Sequence, residues 1–426
     1  MNSRKPDEIE SIERPDTDFK IGQFNYSWKK LGIRVSVDRL DDEGPGEMSV
    51  YYDSGGQPRL LYWGKINLLS VQSCSQLARR LSENAELDWS TILTYVSTLT
   101  FQEHRRGEPV VPIGKKPPST KIDFQLHPLL EKGQATTIYA PGGCAKSYLA
   151  DYFAILIQLG YTGLDSARFS LIPEAVNCLY LDWESNKEDH ERRVWAIKQG
   201  LGIDSEECFL YRFCEQPLVS DVRAIQKLIV ENDVGFIIID SQMAASGYGP
   251  DAAMQASQFY NALRSLRCTS LTIDHVSKSN WASPAADATG PYGSVVKYNR
   301  ARSVFEIKKN QEAGDNFLEL SLKHIKHNEG RLLKPIGIRI DFNNGKEDNL
   351  DSVTFKLCDL NENPELSKTM SLKDRLINTL RHGKKEVVAL AEELDKSENE
   401  IRSRLNEGKS IFKKYSDGWG LLDVYH

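Results

Sequence analysis

Between residues 120 and 362 short, unbroken apolar runs alternate with segments that read as helices. The runs are ATTIYA, AVNCLYLDW, GFIIIDS and TSLTIDHV. They are rich in β-branched and aromatic residues, the pattern of strands covered on both faces. ERRVWAIKQGL and MQASQFYNALRSLR are among the helical segments between them. Strands alternating with helices predict an α/β fold built on a parallel, doubly wound sheet. Beyond RSVFEIKK the texture turns antiparallel, with FLELSLKHIK and KPIGIRIDF.

The flanks have other patterns. Residues 1–20 read as a solvated tail. Residues 21–108 form a small α+β unit. Its strands are IRVSVDRL, MSVYYD and RLLYWGKINLL, the last two joined by the turn SGGQP, and its helices are VQSCSQLARRLSENAEL and WSTILTYVSTLTFQEHRR. Tyr51, Tyr52, Tyr62 and Trp63 in this unit read as packing of a small sheet, with an aromatic binding face as the alternative. A linker punctuated by proline and glycine occupies 109–121 and leads into the α/β core at 122–362. The last block, 370–426, patterns as three short helices. Ser397 and Glu400 form a capping box on the third, and a β-ribbon follows around Asp417-Gly418. Three helices and a ribbon make a winged helix.

Composition narrows the function classes. A formal charge of −6 over 426 residues gives no polybasic signature, so nucleic-acid contact has to come from a local patch. The seven cysteines form no C-x-x-C pair and read as reduced thiols. The charged opening MNSRKPDEIESIERPDTDFK is no signal peptide, and no apolar run has the length of a membrane span. These features predict a cytoplasmic protein with no membrane association.

Chemistry enters where the first core strand runs into APGGCAKS and then a helix. This is the layout of the phosphate-binding loop G-x-x-x-x-G-K-[ST], with Ala140 and Ala145 in the two glycine positions. Holding a triphosphate takes converging backbone N–H groups, a helix N-terminus, a cation, and a hydroxyl for Mg²⁺. Gly142 and Gly143 supply unshielded backbone, Lys146 the cation and Ser147 the metal ligand. Pro141, Cys144, Ala145 and Tyr148 complete the nucleotide-binding stretch. The methyl of Ala145 is tolerable if the backbone there needs no positive φ. A plain βα turn with a chance Lys-Ser is the competing explanation, and the following strand ends weigh against it. LYLDWES ends with Glu184 at the sheet edge where α/β folds bind ligands. A carboxylate there can orient and deprotonate the water that attacks a γ-phosphate. Asp182 is its rival, since strand alternation would point the two the same way. IIIDS has the form of a strand whose carboxylate, Asp240, holds Mg²⁺ through water. TIDHVSK brings His275 to the same edge. A lone histidine is more often a structural hydrogen-bonder, but this one is the fourth polar strand end in succession.

As a set, APGGCAKS, LYLDWES…ERR, IIIDS, DHVSK, GSVVKYNRARSVFEI and LKHIKHNEG resemble the RecA-like P-loop ATPases. More narrowly they resemble RepA-type hexameric replicative helicases and related phage or plasmid AAA-family ATPases, over about residues 120–345. The resemblance implies a Mg²⁺-dependent ATPase that forms a ring, a hexamer, with ATP between neighbouring subunits and a basic group from the neighbour on the γ-phosphate. By position Lys326 is that finger, with Lys323 or Arg302 as substitutes. Members often carry arginine there, and lysine lacks the fork of a guanidinium. The resemblance also implies that His275 reports the γ-phosphate state and that hydrolysis drives movement on, or unwinding of, DNA during replication of a mobile element.

Two further segments could touch DNA. SKSNWASPAADATGPYGS is polar, small and aperiodic: a loop facing the channel, with Lys278 for phosphate and Trp281 for stacking on single-stranded DNA, or an ordinary surface loop. In the winged helix, Arg402 and Arg404 would face a duplex major groove and Lys413 and Lys414 its phosphates, although such modules also dock proteins. Two other functions fit the same residues. One is an ATP-gated DNA-binding regulator, the other a nucleotide-binding assembly component with little turnover.

Overall fold

The computed structural model describes residues 12–53, 55–107, 110–114, 122–167, 169–206, 208–249, 251–276, 295–345 and 349–422. The chain divides into two compact units, one from 1–122, 218–234 and 262–267, the other from 123–217, 235–261 and 268–426.

In the first unit, β1 (Asp16–Lys20), β2 (Gln23–Trp28), β3 (Ile33–Asp38), β4 (Pro45–Asp53) and β5 (Pro58–Asn67) pair in chain order as an antiparallel meander. Helices α1 (Val71–Ser82) and α2 (Trp89–Arg106) follow, their first turns capped by the side chains of Ser70 and Asp88. Strand alternation puts Tyr26, Trp28, Val35, Val37, Met48 and Val50 into one core with Trp89, Ile92, Leu93 and Val96. Two sequence expectations change here. β1 falls inside the stretch read as tail. Its DTDFK sequence contributes only Phe19 to the core, so pairing with β2 defines it, not hydrophobic pattern. Tyr52 and Tyr62 do pack on the core, but Trp63 is 69% exposed and Tyr51 37%, because alternation turns them to the opposite face.

The rest of the chain runs β6 (Phe124–His127), β7 (Leu130–Glu131), β8 (Ala135–Ala140), α3 (Lys146–Leu159), β9 (Ile172–Pro173), β10 (Asn177–Asp182), α4 (Lys187–Leu201) and β11 (Leu210–Phe213). After α5 (Leu218–Glu231), which belongs to the first unit, come β12 (Val234–Asp240), α6 (Gln242–Ala245), α7 (Ala252–Ser265), β13 (Thr269–His275), α8 (Val295–Arg300), β14 (Ser303–Asn310), β15 (Phe317–His327), β16 (Ile336–Asn344) and β17 (Leu350–Leu357). Nine of these strands form one sheet in the order β11-β10-β12-β13-β8-β14-β15-β16-β17. Pairing is parallel between β11 and β10 and from β12 through β13 and β8 to β14; from β14 to β17 it is antiparallel. The fold is thus mixed α/β on a large, mostly parallel sheet.

The continuous apolar runs explain the central strands: Leu179–Leu181, Phe236–Ile239 and Leu271 with Ile273 are sealed from solvent. The antiparallel extension curls back over the helices. Tyr152 of α3 stacks on Phe355 at 4.0 Å, and Tyr148 meets Phe342 edge-on at 5.3 Å. At Gly200 of α4 an added Cβ would lie 1.9 Å from the Val353 carbonyl oxygen, so only glycine permits this approach. With β13 inserted between β8 and β12, the chain leaving β8 must skip two strands to reach β10. That reversal opens a crevice at the carboxyl ends of the strands, where α/β sheets take ligands.

At the C-terminal end, α9 (Pro364–Ser367) is followed by α10 (Leu372–Arg381), α11 (Val387–Leu394), α12 (Glu398–Glu407) and a ribbon of β18 (Phe412–Tyr415) and β19 (Gly418–Leu421). The last three helices and the ribbon close over Leu376, Leu380, Leu390, Ile401, Leu405 and Phe412. The capping box of Ser397 and Glu400 is present.

Candidate nucleotide site

β8 delivers the loop. Ala140 is still in the strand, paired with His275 of β13, and is buried. Gly142 and Gly143 follow in a turn; among the described residues no atom would come within 4 Å of a Cβ at Gly142, and only the Lys309 ammonium, at 3.8 Å, of one at Gly143. The backbone of the loop is therefore open on that side, as a phosphate cradle needs. Ala145 corrects the sequence reading: it starts α3 in the left-handed region, φ 52° and ψ 28°. The position does require positive φ, and the methyl strains it by roughly 1–2 kcal/mol. Lys146 follows, buried, its ammonium donating to the carbonyls of Ala140 (3.1 Å) and Pro141 (2.9 Å). Burial lowers its pKa, while Cys144, Asp240, Glu184 and Asp274 oppose the shift.

Ser147, on the first turn of α3, donates its hydroxyl to Asp240 at 2.7 Å. The Tyr180 hydroxyl donates to the same carboxylate oxygen at 2.8 Å from the neighbouring β10. Burial raises the Asp240 pKa, and these two hydrogen bonds work against it. One residue on, the Ser241 hydroxyl donates to Glu184, whose other oxygen lies 3.2 Å from His275 Nε2. The peptide between Asp240 and Ser241 is cis. The hydrogen bond from His275 holds the Glu184 carboxyl below its ordinary range, against desolvation, and Ser241 and Lys146 add to the effect. Lys146, Ser147, Asp240, Glu184 and His275 thus share one rim, contributed by the ends of β8, β12, β10 and β13.

The rivalry between Asp182 and Glu184 also resolves. β10 ends at Asp182, and the chain bends through 183–185, so strand alternation no longer applies. Asp182 turns inward and accepts the backbone N–H groups of Glu184 (2.9 Å) and Ser185 (3.0 Å); Glu184 faces Ser241 and His275. Sequence reasoning missed Ser241, Tyr180, and Lys309, whose ammonium donates to the Gly143 carbonyl at 2.8 Å. It also missed the buried ion pair of Asp274 and Lys297 at 2.9 Å, which ties α8 to the residue before His275. Position in the motif could have flagged Ser241, directly after Asp240. Tyr180 gave no signal, since it looks like any aromatic in a buried strand.

The remaining predicted residues lie elsewhere. Lys326 pairs with Val304 at the start of β14, the sheet edge opposite the loop. Its ammonium donates to the carbonyls of Tyr298, Asn299 and Ala301, at the C-terminal end of α8. Lys323 is half-buried on the same strand, and Arg302 is exposed just before β14. Arg402 and Arg404 on α12 pair with Glu398 and Glu407 of their own helix, each at 2.8 Å, so neither offers an unbalanced charge. Lys413 and Lys414 are exposed on β18. Lys278 and Trp281 lie outside the described residues.

The donor set fits a magnesium nucleotide. Ser147 Oγ and Asp240 Oδ2 are 2.7 Å apart. Among the described residues no group of three or more His, Cys, Asp or Glu side chains could hold a metal unaided. A hydroxyl, one carboxylate and phosphate oxygens are what Mg²⁺ uses in such sites.

Residues 105–280 match a family model described as an AAA domain, a span that includes the loop, Glu184, Asp240 and His275 and ends before Lys326. The match supports a nucleotide-binding ATPase. No curated protein matches the chain. Among solved structures, a KaiC-like protein from the hyperthermophilic archaeon Pyrococcus horikoshii OT3 is 13% identical, aligned over 58% of this chain and 99% of its own, with a TM-score of 0.37. That likeness is too remote to bear on function. Among the described residues, no helix is long and apolar enough to cross a membrane.

Proposed function

We propose that this protein is a Mg²⁺-dependent ATPase of RecA-like type that works as a ring of copies and couples hydrolysis to movement on DNA. The observation that carries it is the convergence of Lys146, Ser147, Asp240, Glu184 and His275 on one sheet edge beside an open glycine turn. Lys146 and the loop amides grip the phosphates. Ser147 would hold Mg²⁺, with Asp240 accepting from the Ser147 hydroxyl, and the ion would supply charge neutralisation at the phosphates. Glu184 is held ionised and orients the attacking water, with Ser241 and His275 fixing its two oxygens. Catalysis is then positioning plus charge stabilisation.

The ring is proposed together with the assignment of Lys326 as the neighbour's cation. On the edge opposite the loop it would meet a γ-phosphate in a neighbouring copy, and doing so would mean leaving the carbonyls of Tyr298 and Asn299 in α8 and of Ala301 just beyond it. α8 follows in sequence the segment containing Lys278 and Trp281, which is proposed to contact single-stranded DNA. A winged helix at the C-terminus serves as an auxiliary contact. The paired arginines of α12 favour docking of a protein there, with Lys413 and Lys414 as the available cations.

ATP hydrolysis with and without single-stranded DNA tests this function, comparing wild type with Lys146→Ala and Glu184→Gln. Both variants lose turnover; Glu184→Gln keeps nucleotide affinity and Lys146→Ala does not. A wild-type rate no greater than that of Glu184→Gln refutes the hydrolase. A rate that DNA leaves unchanged refutes the coupling.

A further inference from the structure

Beneath the site lies a closed ring of polar groups that the chemistry above does not use. Asp151 is on α3, five residues beyond Lys146, and is fully buried; His190, on α4, is 3% exposed, and Asp182, at the end of β10, is fully buried. His190 Nδ1 lies 2.8 Å from Asp151 Oδ1. Its Nε2 is 3.3 Å from Asp182 Oδ2, an ion contact off the hydrogen-bond line. Asp182 Oδ2 also accepts from the Tyr211 hydroxyl at 2.9 Å, and its Oδ1 accepts the N–H groups of Glu184 and Ser185. Arg193 closes the circuit: one guanidinium nitrogen is 3.4 Å from Asp151, another donates to the Ser185 hydroxyl at 3.1 Å. Two carboxylates, a histidinium and a guanidinium balance in charge.

We infer that this ring of Asp151, His190, Asp182 and Arg193 positions Glu184, locking the bend at 183–185 to the helix that begins at the phosphate loop. The inference rests on the hydrolase function of Glu184 proposed above. Stability alone is a poor reason for such a ring, because buried ion networks can often be replaced by packed apolar residues with little loss. The ring fixes backbone instead. Glu184 has no contact with it through its own side chain; its N–H is held by Asp182, its neighbour Ser185 is held twice, and the far end of the ring is anchored on α3. Asp182, His190 and Asp151 are positioning residues, not catalytic ones.

The test is steady-state ATP hydrolysis with separately measured affinity for a fluorescent ATP analogue, using His190→Asn and Tyr211→Phe. Tyr211→Phe removes one hydroxyl from a half-buried ring, so it stays folded even if His190→Asn does not. Misplacing a reacting group by an ångström costs about 100-fold in rate, so kcat falls roughly 10- to 100-fold in His190→Asn and about 3-fold in Tyr211→Phe, with affinity within about twofold of wild type. In the Glu184→Gln background both substitutions add nothing, because the group they position is gone. Wild-type kcat in Tyr211→Phe, or a loss that tracks affinity or persists in the Glu184→Gln background, overturns the inference. A wild type that binds nucleotide but never turns it over refutes the hydrolase itself, a different outcome from an active wild type matched by its variants.

Discussion

Replacing His190 should flatten the dependence of stability on alkaline pH, by an amount the structure sets. Burial by itself would drive this imidazole toward neutrality, but Asp151 and Asp182 on either side overcome it and raise its pKa from 6.5 to about 9. Arg193, also facing it through Asp151, opposes the rise, and the Tyr180 and Tyr211 rings pack against it without charge. A group with a raised folded-state pKa stabilises fully below its unfolded value and loses that contribution as pH climbs through the folded one. The window is therefore pH 6.5 to 9. At about 1.4 kcal/mol per pH unit the loss is about 3 kcal/mol. For a domain with a urea slope near 3 kcal/mol/M, the midpoint drops by about 1 M. Urea denaturation followed by tryptophan fluorescence at pH 6.5, 8 and 9.5 reads it, since Trp183 and Trp195 flank the cluster on the bend and on α4. In His190→Asn the protein is weaker at pH 6.5, because Asp182 loses its counter-charge and Asp151 keeps only Arg193, and the further decline to pH 9.5 is small. Thiols and lysines titrate alike in both proteins and cancel in the difference. A wild-type midpoint that stays constant over this range, or a variant that declines as steeply, refutes a charged histidine at this position.

Substitutions at two other places probe the same rim. At Ala145, glycine removes strain of roughly 1–2 kcal/mol but frees the unfolded chain by about 0.5–1 kcal/mol, so Ala145→Gly is as stable as wild type or slightly more so. Ala145→Val, β-branched at φ 52°, melts lower; equal melting of the glycine and valine variants would show that the backbone there is not left-handed. Lys297→Met leaves Asp274 as an unpaired buried charge and destabilises by about 3–5 kcal/mol. Adding Asp274→Leu recovers most of that loss, and a double variant as weak as the single one would remove the ion pair from the account.

The parts of the site legible in the sequence are those that end a strand. An apolar run that stops at Asp240 or His275 announces both a strand and a polar group at its carboxyl edge, and sheet topology then brings such ends together whatever lies between. What stayed hidden depends on contacts between elements far apart in the chain. Tyr180 sits inside an apolar run, and nothing local says that its hydroxyl meets Asp240 from the next strand. Asp151 and His190 are single polar residues on helices, indistinguishable by pattern from solvent-facing ones until α3 and α4 pack. The contact that Lys326 makes at the C-terminal end of α8 spans 25 residues or more and has no periodic trace. β1 and the exposed Trp63 were missed for the opposite reason: pairing and alternation decide them, while composition points the other way.

The two alanines in the loop are unequal departures from a glycine pattern, and the difference bears on whether the loop still grips phosphate. Ala140 ends β8 in extended backbone, its methyl packed in the core and its partner across the ladder His275. Nothing at that position calls for the freedom of glycine, so the substitution has no energetic consequence for the site. Ala145 does sit where glycine is preferred, yet the left-handed turn is retained, with α3 begun on schedule at Lys146 and the carbonyl of Ala145 accepting the first helical bond from Leu149 at 3.0 Å. The strain is therefore already present in the folded protein without nucleotide, and if binding keeps the same turn it is common to both states. A cost common to both states lowers stability but leaves the binding equilibrium where it was, since only a difference between states can shift it. The loop is consequently expected to bind at ordinary strength.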